Sequence, residues 1–295
     1  MSEAGKIAFI GLGQMGMPMV THLVKAGHAV SGFDLSTSAR ETLERIGGTS
    51  VATIGASLAD ADCIITMLPN GKIVQDALLS DDAFRRAKPG ALLIEMSSSA
   101  PAQTRHLAEL VSGHLRVLDA PVSGGVKRAV EGTLTIMAGG SEADLDQATP
   151  LLKTMAARVI FCGPVGAGHA MKAINNYVSG AGVIAAVEAV ILGRAFGIEA
   201  DRLVDVLNAS SGKNNATEVK MKQFVLSGTF ASGFAMGLMA KDIRTAADLS
   251  KSLGLDQPGL KQAADLWDAA AATIGGAEDH THFYDYMVRE DEARN

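Results

Sequence analysis

Three glycines set between two kinds of periodicity constrain this chain most. Gly11-Leu12-Gly13-Gln14-Met15-Gly16 follows the apolar run Lys6–Gly11 (KIAFIG) and leads into the amphipathic stretch Met15–Ala26. A G-x-G-x-x-G triplet alone is weak evidence; a strand before it and a helix after it make it a dinucleotide fingerprint. Gly11 permits the tight turn, Gly13 lets backbone approach a pyrophosphate, and Gly16 lets helix and strand pack closely. The helix N-terminus then offers N–H groups and the positive end of its dipole to the phosphates. Asp34 ends the next apolar run, Ala29–Asp34, 18 residues after Gly16. A carboxylate there accepts hydrogen bonds from the ribose 2′-OH of NAD and repels the 2′-phosphate of NADP. Arg40 lies six residues on, not next to the strand end. The expected cofactor is therefore NAD rather than NADP; the plainer alternative for Asp34 is a cap on the following turn.

The first half of the chain repeats the same alternation. Further apolar runs read as strands at Cys63–Leu68, Leu92–Glu95, Val117–Ala120, Leu134–Ala138 and Val159–Cys162, with helical stretches at Thr104–Ser112 and Glu142–Met155. Strands alternating with helices imply βαβ units and a largely parallel sheet. After Gly163-Pro164 the composition shifts to Ala, Leu and Met at helical spacing. Helices are expected over Ala170–Phe196, Ala200–Leu207, Glu218–Leu226, Lys241–Leu253 and Lys261–Thr273. The expected fold class is α/β: a Rossmann-type parallel-sheet dinucleotide-binding domain, residues 1–164, then an all-α substrate and oligomerisation domain, residues 165–295. The boundary falls in the Gly-Pro-rich turn Gly163–Gly168.

Composition narrows the partners. The 295 residues are 47% hydrophobic, and 26 Lys and Arg against 32 Asp and Glu give a net charge of -6. Such a chain can bury a large core, and disorder is excluded. Nucleic-acid binding is disfavoured, because phosphate neutralisation needs a basic surface. Two cysteines, Cys63 and Cys162, make no disulfide framework, which points to a reducing cytoplasm. No targeting segment is read at the N-terminus. The apolar stretch Tyr177–Phe196 is long enough to raise a membrane reading. Glu188 and Arg194 interrupt it, and a charge mid-span costs about 2.5–3.5 kcal/mol. A helix buried on most sides, between domains or subunits, is expected instead, and no membrane partner.

Other segments carry candidate chemistry. Leu68-Pro69-Asn70 and Ser97-Ser98-Ser99 follow strands at carboxyl ends, where open α/β sheets bind ligands; turn and cap chemistry explains them equally from position. Ser123-Gly124-Gly125, in DAPVSGG, can offer a hydroxyl and N–H donors to a carboxylate, or be a loop that needs glycine. Lys172 and Asn176 are four apart and share a helix face. Met171, Ala173 and Ile174 flank them with apolar side chains. Burial of an ammonium there would lower its pKa, which suits a general acid/base; a lysine snorkelling outward is the alternative. Lys241-Asp242 is read as opening a helix, with a lysine able to reach cofactor or substrate across a domain cleft, or simply solvated. His280 and His282 are too few for a zinc site, so no metal is expected and the segment reads as a polar tail. Trp267 reads as a packing residue of the last helix.

Taken together, these segments resemble the β-hydroxyacid dehydrogenase family over nearly the whole chain. GLGQMGMPM (Gly11–Met19) resembles its cofactor motif, DAPVSGGVKRAVEGTL (Asp119–Leu134) its substrate motif, GPVGAGHAMKAINN (Gly163–Asn176) its catalytic motif and KDIRTAADL (Lys241–Leu249) a later cofactor motif. The resemblance implies that Lys172 is the acid/base and that Asn176 hydrogen-bonds the reacting oxygen or substrate. It also implies that Ser123, Gly124 and Gly125 hold a substrate carboxylate. Leu68, Pro69 and Ser98 would line the cofactor, with Lys241 near its nicotinamide end. The family often has threonine where Ser98 stands and an acidic residue where Glu95 stands; hydroxyl and carboxylate are retained. It further implies a homodimer or homotetramer.

The expected activity is reversible hydride transfer between NAD and the hydroxyl-bearing carbon of a 3-hydroxy carboxylate such as 3-hydroxyisobutyrate. Glycerate or tartronate semialdehyde, threonate and a sulfonate analogue stay open. His169 beside Lys172 can be read as sensing an extra hydroxyl, Lys127 and Arg128 as meeting a second polar group, and Ser210–Asn215 as adding further contacts or capping a helix. The competing readings are an NADPH-dependent semialdehyde or glyoxylate reductase, which Asp34 opposes, and an imine reductase, which Lys172 opposes. A non-catalytic NAD-binding regulator is the third, which retention of Lys172, Asn176 and Ser123 opposes.

Overall fold

The computed structural model describes residues 5–294. The chain divides into two compact units, one ending at Lys172 and one beginning at Ala173.

The first unit begins with β1 (Ile7–Ile10), α1 (Gly16–Lys25), β2 (Val30–Phe33), α2 (Thr37–Arg45), β3 (Thr49–Ser50), α3 (Ile54–Leu58) and β4 (Cys63–Thr66). It continues with α4 (Gly71–Leu79), a 3-10 segment (Ser80–Arg86), β5 (Ala91–Glu95), α5 (Pro101–Leu110), β6 (Leu115–Asp119) and β7 (Val122–Ser123). Then come α6 (Gly125–Glu131), β8 (Leu134–Gly139), α7 (Glu142–Leu152) and β9 (Ala156–Gly163), and α8 (Ala167–Phe196) crosses the division. The strand order is β3-β2-β1-β4-β5-β6-β8-β7, with β9 on β8. β1 to β6 pair in parallel, whereas β8 runs antiparallel to β6 and β7. This is the dinucleotide-binding order, in which the order of successive strands reverses between the parallel neighbours β1 and β4.

The strands are apolar on both sides because both faces are covered. Ile7, Phe9, Ile65 and Ile94 pack with Met19, Val20 and Leu23 of α1. Their neighbours Ala8, Ile10, Ile64 and Leu93 pack on the other face with Val74 and Leu78 of α4. Each such fully buried aliphatic contributes about 1.5–3 kcal/mol. α5 starts at Pro101, three residues before the expected Thr104, because proline's fixed φ suits the first helical position.

The second unit holds most of α8, then α9 (Ala200–Ala209), a π-helical segment (Ala216–Leu226), α10 (Met236–Ser252), α11 (Pro258–Ile274), a 3-10 turn (His280–His282) and α12 (Phe283–Arg294). Among the described residues it has no strand beyond one isolated bridge, Ala235 with Asp279. Val183, Val187 and Val190 of α8 pack with Met221, Ile243, Trp267 and Phe283.

Three expectations are corrected here. α8 is long and apolar enough, by length and composition, to cross a membrane. It buries one stripe rather than most sides, and Val178, Leu192 and Phe196 are exposed. α10 begins five residues before Lys241, because Met236 and Met239 already sit on its core face, so Lys241 does not open the helix. The presumed polar tail is core: His280 and Thr281 are buried, with Trp267 against His280, and α12 rather than Trp267's helix is last.

Candidate active site

The three motif glycines meet different demands. Gly11 has φ +100°, and a Cβ there would lie 2.3 Å from the Met67 carbonyl oxygen. A Cβ on Gly16 would lie 1.9 Å from the Gly11 carbonyl oxygen. Gly13 differs, since its Cβ would meet nothing within 4 Å. The chain's own packing therefore does not require glycine at position 13; the open space beside it suits the approach of a pyrophosphate. Gln14 is exposed, Met15 half-buried and Leu12 buried. α1 has no side-chain cap at its N-terminus.

The Asp34 carboxylate is pinned at the end of β2. It accepts from the Leu12 N–H at 2.7 Å and the Ser36 N–H at 2.8 Å. The Arg40 guanidinium folds back onto the carbonyl oxygens of Asp34 and Leu35, so a basic group does stand beside the strand end. Across the topological switch, Leu68 follows β4 and its N–H donates to Ser97 Oγ at 2.9 Å. Asn70 caps α4 through the Ile73 N–H at 2.9 Å. Pro69 is exposed and Ser98 half-buried.

The carboxyl ends of β5 and β6 carry a buried polar hub that sequence reasoning missed. Asp119 accepts from the Gly166 N–H at 2.6 Å and the His169 N–H at 2.9 Å, which ties down the start of α8. His169 Nε2 lies 3.0 Å from the Ser97 carbonyl oxygen and 3.2 Å from Glu95 Oε2. Its Nδ1 lies 3.0 Å from Thr104 Oγ1 and 3.4 Å from Asp119 Oδ2. Burial works against a charge on this imidazole, but Glu95, Asp119 and the Ser97 carbonyl outweigh it and raise its pKa. His169 is 1% exposed with both nitrogens engaged, so it does not read a substrate hydroxyl.

Lys172 follows His169 by one helical turn and is half-buried. Its Nζ donates to the Val122 carbonyl oxygen at 3.2 Å. That places the ammonium beside the loop of Ser123, Gly124 and Gly125. Ser123 is half-buried in β7, and the two glycines have φ of +131° and +65°, conformations a side chain would strain. Lys127 and Arg128 are exposed. Thiol chemistry finds no support: burial pushes the Cys63 thiol up to about 12, and burial, with Asp119 adding to it, raises Cys162.

In the second unit Asn176 Nδ2 donates to Asp242 Oδ2 at 2.6 Å, and Lys241 Nζ lies 3.7 Å from Asp242 Oδ1. Asp242, buried, is a second residue sequence reasoning passed over; its signal was the acid beside Lys241. Asn214 caps the π-helical segment through the Ala216 and Thr217 N–H groups, so part of the Ser210–Asn215 run is capping chemistry. Lys220 is buried and donates to Ser179 Oγ at 3.2 Å. Burial lowers its pKa to about 8, with Asp279 opposing.

Known proteins align with this arrangement over most of the chain. Residues 6–163 match the NAD-binding domain of 6-phosphogluconate dehydrogenase. Residues 166–287 match the NAD-binding region of NADP-dependent 3-hydroxyisobutyrate dehydrogenase. The 2-(hydroxymethyl)glutarate dehydrogenase of Eubacterium barkeri is 36% identical over 281 residues, 95% of this chain and 93% of that protein. The chain belongs to the β-hydroxyacid dehydrogenase family. It is thus an oxidoreductase acting on CH–OH groups, with an NAD(P)-binding domain. Among other relatives, the NAD-dependent L-serine dehydrogenase of Pseudomonas aeruginosa is 39% identical over 86% of this chain and 88% of that one. The structure of Mycobacterium tuberculosis 3-hydroxyisobutyrate dehydrogenase with L-serine superposes with a TM-score of 0.90 at 35% identity, covering 97% of this chain and 99% of that one.

Proposed function

We propose that this chain is an NAD-dependent β-hydroxyacid dehydrogenase acting on a 3-hydroxy carboxylate such as 3-hydroxyisobutyrate, with Lys172 as acid/base. The observation that carries the reading is the Lys172 ammonium 3.2 Å from the Val122 carbonyl, at the head of the Ser123–Gly125 loop. Bound NAD supplies the hydride acceptor. The rest is done by the chain's own groups. Gly11–Gly16 and the start of α1 receive the pyrophosphate, and Asp34 accepts from the ribose. Leu68, Pro69 and Ser98 line the dinucleotide, with Lys241 toward its reactive end. The Ser123 hydroxyl and the backbone N–H groups of Gly124 and Gly125 hold the substrate carboxylate. Lys172 Nζ, when neutral, takes the hydroxyl proton during oxidation; when protonated, it returns that proton during reduction. Asn176 orients the reacting oxygen, and its amide is itself oriented by Asp242.

Residues 1–164 are assigned to the cofactor and residues 165–295 to substrate and oligomer contacts. The exposed apolar residues of α8 support a homodimer or homotetramer. The free thiols of Cys63 and Cys162 fit a cytoplasmic enzyme.

The test is NAD(P)H absorbance with 3-hydroxyisobutyrate, L-serine, 2-(hydroxymethyl)glutarate, glycerate and threonate, each with NAD and with NADP. NAD-linked turnover of one acid is expected. Turnover with NADP alone would overturn the role given to Asp34 and select the second reading, an NADPH-dependent reductase, which the Arg40 guanidinium beside Asp34 favours. NAD binding with no turnover of any of these acids would overturn the substrate class and move the reading to an acid outside the set or to a cofactor-binding regulator.

A further inference from the structure

The hub around His169 is a buried titratable group that hydride transfer does not use. Its surroundings favour the charged ring. Nε2 faces a backbone carbonyl and a carboxylate oxygen, which only accept, so Nε2 carries a proton. Nδ1 faces the Asp119 carboxylate and Thr104 Oγ1. The Thr104 hydroxyl has acceptors for its own proton in Glu95 Oε2 and the Ala100 carbonyl, both at 3.4 Å. A bare Nδ1 would turn its lone pair toward a carboxylate in a dry interior, which is costly. Two carboxylates within ion-pair range thus favour the doubly protonated ring, with Thr104 Oγ1 able to accept from Nδ1.

The groups it joins come from separate segments. Glu95 Oε1 also accepts from the Ser97 N–H at 2.9 Å, and Ser97 Oγ accepts from the Leu68 N–H. Asp119 holds the first turn of α8. The charged groups facing the ring are Glu95 from β5 and Asp119 from β6; α5 contributes the neutral Thr104. Removing the imidazolium would leave the two buried carboxylates, Glu95 and Asp119, without the ring that bridges them.

We propose that His169 is a positioning residue for hydride transfer: its buried imidazolium, bridging Glu95 and Asp119, locks the first turn of α8, and with it Lys172, to the Ser97–Ser98 loop at the end of β5. The inference rests on the reading of Lys172 as acid/base. The raised pKa of His169 agrees with it.

The experiment compares wild type, His169→Gln, His169→Gln/Glu95→Gln and Lys172→Ala in steady-state kinetics on the acid turned over, with NAD affinity by calorimetry. Gln keeps a donor and an acceptor but not the charge. His169→Gln is expected to lower kcat about 10–100-fold through misplacement of Lys172, with KM for the acid moving less than threefold. Removing the Glu95 charge as well recovers part of the loss. A folded His169→Gln with wild-type kcat overturns the proposal while leaving Lys172 untouched. A Lys172→Ala that keeps wild-type kcat overturns the functional reading instead. ¹⁵N NMR of the wild-type ring is independent of folding of the variants: both nitrogens protonated at neutral pH is expected, and a single neutral tautomer overturns the clamp.

Discussion

The Asn176 amide donates to the Asp242 carboxylate across 2.6 Å, and that carboxylate's other oxygen lies 3.7 Å from the Lys241 ammonium. One acid on α10 thus orients an amide on α8 and a lysine on its own helix. A charge-assisted bond of this kind is short and directional. Asp242→Ala leaves Asn176 without its acceptor and is expected to lower kcat by about 10–100-fold. Asp242→Asn, which keeps a carbonyl acceptor, should recover most of it. Steady-state kinetics of the two variants make the comparison; equal losses would place the importance of Asp242 in its charge.

Gly16 has no room for a side chain. Its Cβ would lie 1.9 Å from the Gly11 carbonyl oxygen, a backbone atom that cannot rotate away. Gly16→Ala must push α1 off β1. A loss of about 1–3 kcal/mol in stability is expected, together with weakened NAD binding, read by thermal melting and calorimetry. Gly13→Ala, where the Cβ meets nothing within 4 Å, should leave the melting temperature of the cofactor-free protein nearly unchanged and still weaken NAD.

Lys220 makes stability depend on alkaline pH. Its pKa is lowered by burial to about 8 from 10.5. Between those values the unfolded chain binds more protons than the folded one, so this group's contribution rises with pH. Below about pH 8 both states are protonated and the folded state carries the full cost of burying the charge, at most about 3 kcal/mol. Lys220→Met should therefore raise the melting temperature at pH 7, and the gain should shrink as pH approaches 10.5. A gain independent of pH would contradict this.

His280 acts at the acid end. Burial, with Lys220 beside it, lowers its pKa to about 4. Its contribution is present above the unfolded value near 6.5 and is lost as pH falls through about 4. Trp267, the only tryptophan, packs against His280, so its fluorescence follows acid unfolding of this unit. His280→Asn should move that transition to lower pH.

His169 gives the opposite sign. Its raised pKa contributes stability below the unfolded value, lost as pH rises through the folded value. Wild type should therefore lose stability as pH rises above about 6.5 in a component that His169→Gln lacks, as thermal melts across pH would reveal.

What was legible in the sequence was mostly local. Glycine spacing, strand and helix periods and a strand-end acid are set by neighbouring residues, so the Gly11–Gly16 turn, Asp34 and the parallel sheet could be read directly. The His169 hub could not, because Glu95, Thr104, Asp119 and His169 meet only when the sheet brings β5, β6, α5 and α8 together. The same holds for Asp242 against Asn176. The buried His280 turn looked like a tail because polar residues hide burial when a distant tryptophan supplies it. The start of α10 was misplaced because its first turn lacks a side-chain cap.

The central claim is that Lys172 carries the proton. The direct measurement is kcat of Lys172→Ala against wild type on the acid turned over, with NAD affinity measured alongside. Loss of the lysine is expected to lower kcat about 10²–10⁴-fold with NAD affinity unchanged. A variant that binds NAD and keeps most of its kcat would contradict it.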